Sequence, residues 1–323
     1  MNGDFEYSSD AKHVVFGATG SYGCAIVKAL QKRKKNIVAV CRNEQKATGM
    51  FSGNVEIVNA DIMDKDQVMR SCEGASFVYL GFNFPYSDWE KKYRESIRNV
   101  MSGCSRKDVL IVFPGNVYGY GKFNTVPVPE NHPLNARSRK GIIRNRIELD
   151  LIENHRKGKF RVVIPKFADF YGPNVTNDLT GAPFRNAIHG DKTLWPVNAD
   201  VPHQFTFIDD AAEGTMKLIE DPESYGHIFH LSGNTINARE FINKIYLACG
   251  RNIDIQIVPK LLLTFMGIFK PQIREFLELS YEYKEPYILD DSKLRKAFPE
   301  FTYTPYDEGI RQTLDWFNIH LAH

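Results

Sequence analysis

A chain of 323 residues, 43% hydrophobic and 25% charged, is long enough to bury a large core and fits one α/β domain with a second lobe. Its formal net charge of +2 gives no global pull toward nucleic acid or a membrane, and five scattered cysteines without a C-x-x-C pair supply neither a disulfide framework nor a thiolate metal site. The expectation is a cytoplasmic protein with reduced thiols, no metal, and neither nucleic acid nor membrane as partner; residues 1–10 hold no basic segment followed by an apolar one, and the most apolar tract, residues 261–269, is too short to cross a bilayer.

Residues 13–16 form an apolar run that reads as a first strand, and the segment GATGSYG, Gly17 to Gly23, follows it and opens a helix-like stretch. Gly17, Gly20 and Gly23 allow a sharp turn, a close approach of backbone to phosphate oxygens and tight helix–strand packing, while helix-end N–H groups make an anion site. Thr19, Ser21 and Tyr22 complete this loop, whose design suits the pyrophosphate of a dinucleotide. The cations of residues 32–35 end the helix, where they offset its dipole. A second strand over residues 36–40 runs into Cys41 and Arg42. No carboxylate stands there to grip a ribose 2′-hydroxyl, whereas Arg42 can pair with a 2′-phosphate, so NADP(H) is expected over NAD.

Residues 55–60 read as a third strand ending at Asp61 and Ile62, residues 76–80 as a fourth leading to Gly81 and Phe82, and residues 109–113 as a fifth. Between the last two, Trp89, Tyr93, Ile97, Val100 and Cys104 recur at helical spacing and are expected in the core. A helix over about residues 139–155 leads to a sixth strand at 161–164. Beyond residue 173 the composition loosens into Pro-, Asn- and Asp-rich loops; residues 205–210 and 227–232 read as returning to the sheet, and the remainder is mainly helical with an extended stretch at 287–290. The predicted fold is α/β, a Rossmann-type doubly wound parallel sheet with a smaller, mostly helical C-terminal substrate lobe. Residues 1–172, with returning segments at about 205–232, would form the dinucleotide domain, and residues 173–204 and 233–323 the lobe.

The glycine triplet, NVYG at 116–119, FYGP at 170–173, FIDDAA at 207–212, DDSKLRKAFPEF at 290–301 and TLDWF at 313–317 stand in an order that resembles the extended and atypical short-chain dehydrogenases/reductases, the NAD-dependent epimerase/dehydratase group. The resemblance spans nearly the whole chain. It implies that Asp61 and Ile62 lie along adenine, Gly81 and Phe82 on the nicotinamide side, and the segment from Pro165 to Phe170, Phe167 included, beside the nicotinamide ring. It also suggests a homodimer through helices around 88–105 and 139–156.

That family works with a Ser or Thr after strand five and a Tyr-x-x-x-Lys on the next helix, a phenol whose pKa is lowered so that it exchanges a proton as hydride moves. Here the hydroxyl position falls at Pro114, and no tyrosine occurs between Gly121 and Phe160. One register puts Ala136 at the tyrosine and Lys140 at the lysine. The preferred one puts Lys140 at the tyrosine, Arg144 at the lysine and Glu148 at the acid that often follows, all on one helical face. Lys140 would exchange the proton, Arg144 would tune it, and Asn116 or Tyr118 would orient the substrate oxygen; the same i,i+4 face also reads as a solvated charge ladder. Arg137, Arg139, Lys140, Arg144 and Arg146 crowd together and suggest an anionic small-molecule substrate. The leading expectation is an NADP(H)-dependent oxidoreductase or epimerase-like enzyme acting on a small carbonyl or alcohol compound such as a sugar derivative. The other is an NADP(H)-binding sensor without turnover, as in NmrA-like relatives.

Overall fold

The computed structural model describes Ser8 and residues 10–321. The first half alternates strand and helix: β1 (Lys12–Phe16), α1 (Ser21–Lys32), β2 (Asn36–Cys41), α2 (Glu44–Met50), β3 (Val55–Asn59), α3 (Lys65–Ser71), β4 (Ala75–Leu80), α4 (Arg94–Gly103), β5 (Leu110–Val112), α5 (Arg139–Arg156) and β6 (Arg161–Phe167). Then come β7 (Asp169–Tyr171), α6 (Ala182–His189), β8 (Thr193–Pro196), β9 (Pro202–Phe207), α7 (Ile208–Glu220), β10 (Ile228–Leu231), β11 (Thr235–Asn237), α8 (Ala238–Ala248) and β12 (Ile255–Val258). The chain closes with α9 (Lys260–Phe269), α10 (Pro271–Leu277), α11 (Ser292–Ala297) and α12 (Tyr306–Leu321).

Seven strands form one sheet in the order β10-β6-β5-β4-β1-β2-β3. The near-continuous apolar sequences of β1, β2, β4 and β5 match strands covered on both faces, and Val14, Val38, Val78 and Ile111 are at most 1% exposed. Trp89, Tyr93, Ile97, Val100 and Cys104 are buried as their spacing predicts. Residues 205–210 depart from expectation: Phe205 to Phe207 end β9, which joins the separate sheet β11-β9-β7, and residues 208–210 already begin α7. Of the two segments expected to return, the one that reaches the main sheet is β10, at its edge.

The chain divides into two units, residues 1–115, 143–166 and 211–229 in the first, and 116–142, 167–210 and 230–323 in the second. The second has its own core of Phe184, Trp195, Phe205, Phe241, Ile245 and Phe317 with their neighbours.

In the first unit His13 is 2% exposed, stacked on Phe77 at 4.4 Å and bonded through Nδ1 to the Tyr79 hydroxyl at 2.9 Å. Burial, and then the charge of Lys35, push its imidazole down to about 3. The folded chain thus keeps His13 neutral, while the unfolded chain protonates it below its ordinary value of 6.5. The stabilisation is complete above that value and is lost as pH falls through the window toward 3. At about 1.4 kcal/mol per pKa unit, about 2 kcal/mol should be gone by about pH 5. Urea midpoints measured across this window should fall more steeply for the wild type than for His13→Gln; parallel curves would refute the assignment.

Candidate functional site

In the first unit the chain order of the sheet reverses at β1, which lies between β4 and β2, so the carboxyl ends of β1 and β4 flank the switch point where such sheets take ligands. Gly17 has φ +69°, and a Cβ there would stand 2.6 Å from the Phe82 nitrogen. A Cβ on Gly81 would stand 2.7 Å from the Gly23 Cα, so the turn after β1, the start of α1 and the end of β4 are packed main chain against main chain. Gly20 is the N-cap of α1 and gives it no side-chain cap. A Cβ there would meet the carbonyl oxygens of Gly17 and Gly81 at 3.2 Å. The helix start is therefore walled by backbone, with Thr19 and Ser21 half-buried beside it. Tyr22 contributes only its main chain: its phenol turns into the core, 2.9 Å from Thr215 Oγ1, and burial raises it far above its ordinary value.

Arg42 is exposed just past β2 and makes no hydrogen bond or ion pair among the described residues. Asp61 is exposed, its carboxylate accepting from the Met63 N–H at 2.9 Å, and the Ile62 carbonyl accepts from Asn99 Nδ2 at 3.1 Å. The Phe82 ring stands edge-on to Phe84 and Tyr93, each 5.8 Å away.

The charged face of α5 is not a solvated ladder. Lys140, Arg144 and Glu148 are 2%, 7% and 2% exposed. Lys140 Nζ donates to Glu275 Oε2 at 2.6 Å and Glu278 Oε2 at 3.1 Å, and Arg139 joins the same two carboxylates. Its ammonium is thus already held between two carboxylates. The guanidinium of Arg144 is boxed by the rings of Trp89, Tyr93 and Phe113, 4.8–5.1 Å from their centres, and donates to the Pro114 carbonyl at 3.0 Å. Glu148 Oε2 meets Lys166 Nζ at 2.8 Å, with both side chains at most 2% exposed. Arg139, Lys140 and Arg144 of the basic stretch thus answer internal partners. Asn116 Oδ1 accepts from the Tyr118 N–H at 3.2 Å, and the Tyr118 ring packs against the small core of Val117, Tyr120 and Val128.

The second unit holds a polar group that the motifs did not reveal. Phe167 is 3% exposed and tilts against Phe170 at 5.1 Å, and between them in sequence β7 begins at Asp169. In the register of β7 with β9, Asp169 pairs with Phe205, and His203 lies two residues earlier on the same face. His203 Nε2 stands 3.1 Å from Asp169 Oδ2, the Tyr283 hydroxyl donates to that oxygen at 3.3 Å, and the imidazole stacks on Tyr287 at 4.5 Å. Burial, and then the charge of Asp169, raise the nearby Glu282 carboxyl well above its ordinary range. The two carboxyls differ in environment, Glu282 being buried and Asp169 part-exposed. The one available signal was Asp169 standing directly before the FYGP segment; no pattern pointed to His203.

All five cysteines are free thiols, yet two of them meet: Cys72 and Cys104 lie in the core of the first unit with sulfurs 3.7 Å apart. Among the described residues no group of three or more His, Cys, Asp or Glu side chains could hold a metal ion, and no helix is long and apolar enough to cross a membrane.

The fold is shared with solved structures. The chain superimposes on dTDP-glucose 4,6-dehydratase from Bacillus anthracis in complex with NAD at TM-score 0.80 and 14% identity, covering 97% of this chain and 98% of that one. It matches UDP-N-acetylglucosamine 4-epimerase from Methanobrevibacter ruminantium M1, bound to UDP-N-acetylmuramic acid, at TM-score 0.80 and 16% identity over 97% and 100% of the two chains. UDP-glucose 4-epimerase from Thermotoga maritima, with UDP-glucose, gives TM-score 0.76 and 14% identity over 96% and 99%. No curated protein sequence is significantly similar. The sequence profile of the NAD dependent epimerase/dehydratase family matches residues 13–232, about two thirds of the chain, from the first strand to the edge strand of the sheet. With that match over a doubly wound sheet whose glycine turn stands at the switch point, the chain belongs to the NAD-dependent epimerase/dehydratase family of the extended short-chain dehydrogenases/reductases.

Proposed function

We propose that this enzyme of the epimerase/dehydratase family takes NADP(H) and acts on a small anionic carbonyl or alcohol compound of the sugar-nucleotide kind, the class bound by the epimerases it resembles. The observation that carries the reading is the backbone-walled start of α1 with Arg42 exposed at the end of β2. Gly17, Thr19, Gly20, Ser21, Tyr22 and Gly23 would hold the pyrophosphate through main chain and hydroxyls, Arg42 the 2′-phosphate, and Asp61 and Ile62 the adenine. Gly81, Phe82 and Phe167 would flank the nicotinamide. When bound, the nicotinamide supplies hydride transfer.

For the proton we favour Asp169, oriented by His203 and Tyr283, because it belongs to the segment that the family resemblance sets beside the nicotinamide ring. Tyr118 or Asn116 would orient the substrate oxygen. Lys140 and Arg144 then position α5 rather than exchange protons, since each already answers internal partners. Those same partners, together with proline at the hydroxyl position, favour the second reading, an NADP(H) sensor without turnover.

The cofactor assignment is tested by calorimetry. The wild type should bind NADPH about ten- to a hundredfold more tightly than NADH, the worth of charge-assisted bonds to phosphate at about 1.5–3 kcal/mol, and Arg42→Ala should erase most of the difference. Equal affinities in the wild type would sink the assignment.

A further inference from the structure

The helix α9, KLLLTFMGIF, is oriented against the usual rule for a soluble protein. Leu261, Leu262, Phe265, Ile268 and Phe269 are spaced to fall on one arc of the helix, and they are 83%, 46%, 60%, 68% and 73% exposed. The buried side is narrow, made by Leu263 and Gly267. There α10 comes so close that a Cβ on Gly267 would stand 3.1 Å from Leu277 Cδ1 and 3.3 Å from the Arg274 Cα. The most apolar arc thus faces outward, a patch of the kind that marks an interaction surface.

The charges that bracket it are cationic. Lys260 and Lys270 bracket the helix at its two ends, and Arg274 follows on α10; all three are exposed and carry no ion pair among the described residues. Glu275 of α10 and Glu278 just after it are paired with Arg139 and Lys140. We propose that the α9–α10 hairpin docks the protein on an anionic bilayer surface, with the apolar arc among the acyl chains and the three cations at the level of the lipid phosphates. Ten residues of helix rise about 15 Å, half of a hydrocarbon core, so the helix would lie in the interface and not span it. A symmetric pair of copies meeting through this face would set the same cations against each other without an acid to answer them, whereas anionic headgroups neutralise them. The expectation of no membrane partner rested on the net charge, a sum that is blind to where the cations and the apolar arc are placed.

The test is co-sedimentation of the whole protein with phosphatidylcholine vesicles, with and without about a third of phosphatidylserine, at low and high salt. Binding to the mixed vesicles is expected, weakened by salt and by about fivefold for each of Lys260→Gln and Lys270→Gln. Phe265→Glu and Ile268→Gln should each lower binding, the former by about thirtyfold or more, with unchanged circular dichroism and melting because both side chains are exposed in the fold. No binding to the mixed vesicles, or binding indifferent to Phe265→Glu, overturns the proposal. A dimer seen by sedimentation velocity that Phe265→Glu dissolves, without vesicle binding, also overturns it and makes the face a subunit interface. NADPH affinity measured on the same samples reports the cofactor assignment separately.

Discussion

Lys166→Met is expected to lower the unfolding free energy by about 3–5 kcal/mol, the scale for stranding one member of a buried ion pair. Glu148 would be left 2% exposed with its partner gone, on a helix packed against the sheet that Lys166 belongs to. Glu148→Leu should cost a similar amount by stranding the ammonium. The double replacement should recover most of the loss, because two apolar side chains of similar volume need no partner. Denaturant midpoints of the four proteins measure this cycle. If the double variant is as unstable as the sum of the singles, the pair is not coupled and the argument fails.

Asp169→Asn should reduce kcat by about a hundredfold or more on any substrate that turns over, the scale of losing a positioned proton carrier, and should remove one limb of the pH–rate profile. NADPH affinity should stay within a small factor. His203→Gln should show a smaller loss in kcat with the limb displaced, as expected of a group that acts through Asp169. Lys140→Met should instead cost about 3 kcal/mol of stability, because Glu275 and Glu278 lose the ammonium between them, while kcat is largely kept. The opposite pattern, turnover lost in a stable Lys140→Met and kept in Asp169→Asn, would return the proton to α5. Tight NADPH binding with no substrate turned over in a broad screen would favour the sensor.

The sheet was legible in the sequence because its strands are short apolar runs punctuated by glycine, and a doubly covered strand has few other ways to look. The expected third strand, residues 55–60, differs from Val55–Asn59 by one residue, and the expected helix at 139–155 from Arg139–Arg156 by one. The small sheets were not legible. Strands β7 and β11 have three residues each, too few for a period of two to register, so the sequence at 205–210 offers no partner strands outside the main sheet. The glycine turn could be read locally, since its demand on φ and close approach lies within seven residues. The fate of Lys140 could not, because its carboxylates are 135 and 138 residues away in sequence and nothing near residue 140 announces them. The same distance effect hid His203, brought to Asp169 by strand register alone.

The two core thiols make a clock. Cys72 and Cys104 touch at 3.7 Å, and the Cys104 thiol is driven well above its ordinary value, first by its hydrogen bond with Cys72 and then by burial. An alkylating reagent attacks thiolates, so Cys104 should stay unlabelled for as long as the segments around α3 and α4 stay closed. The rate at which mass spectrometry finds it modified would then time the opening of that part of the fold through a thiol already in the sequence.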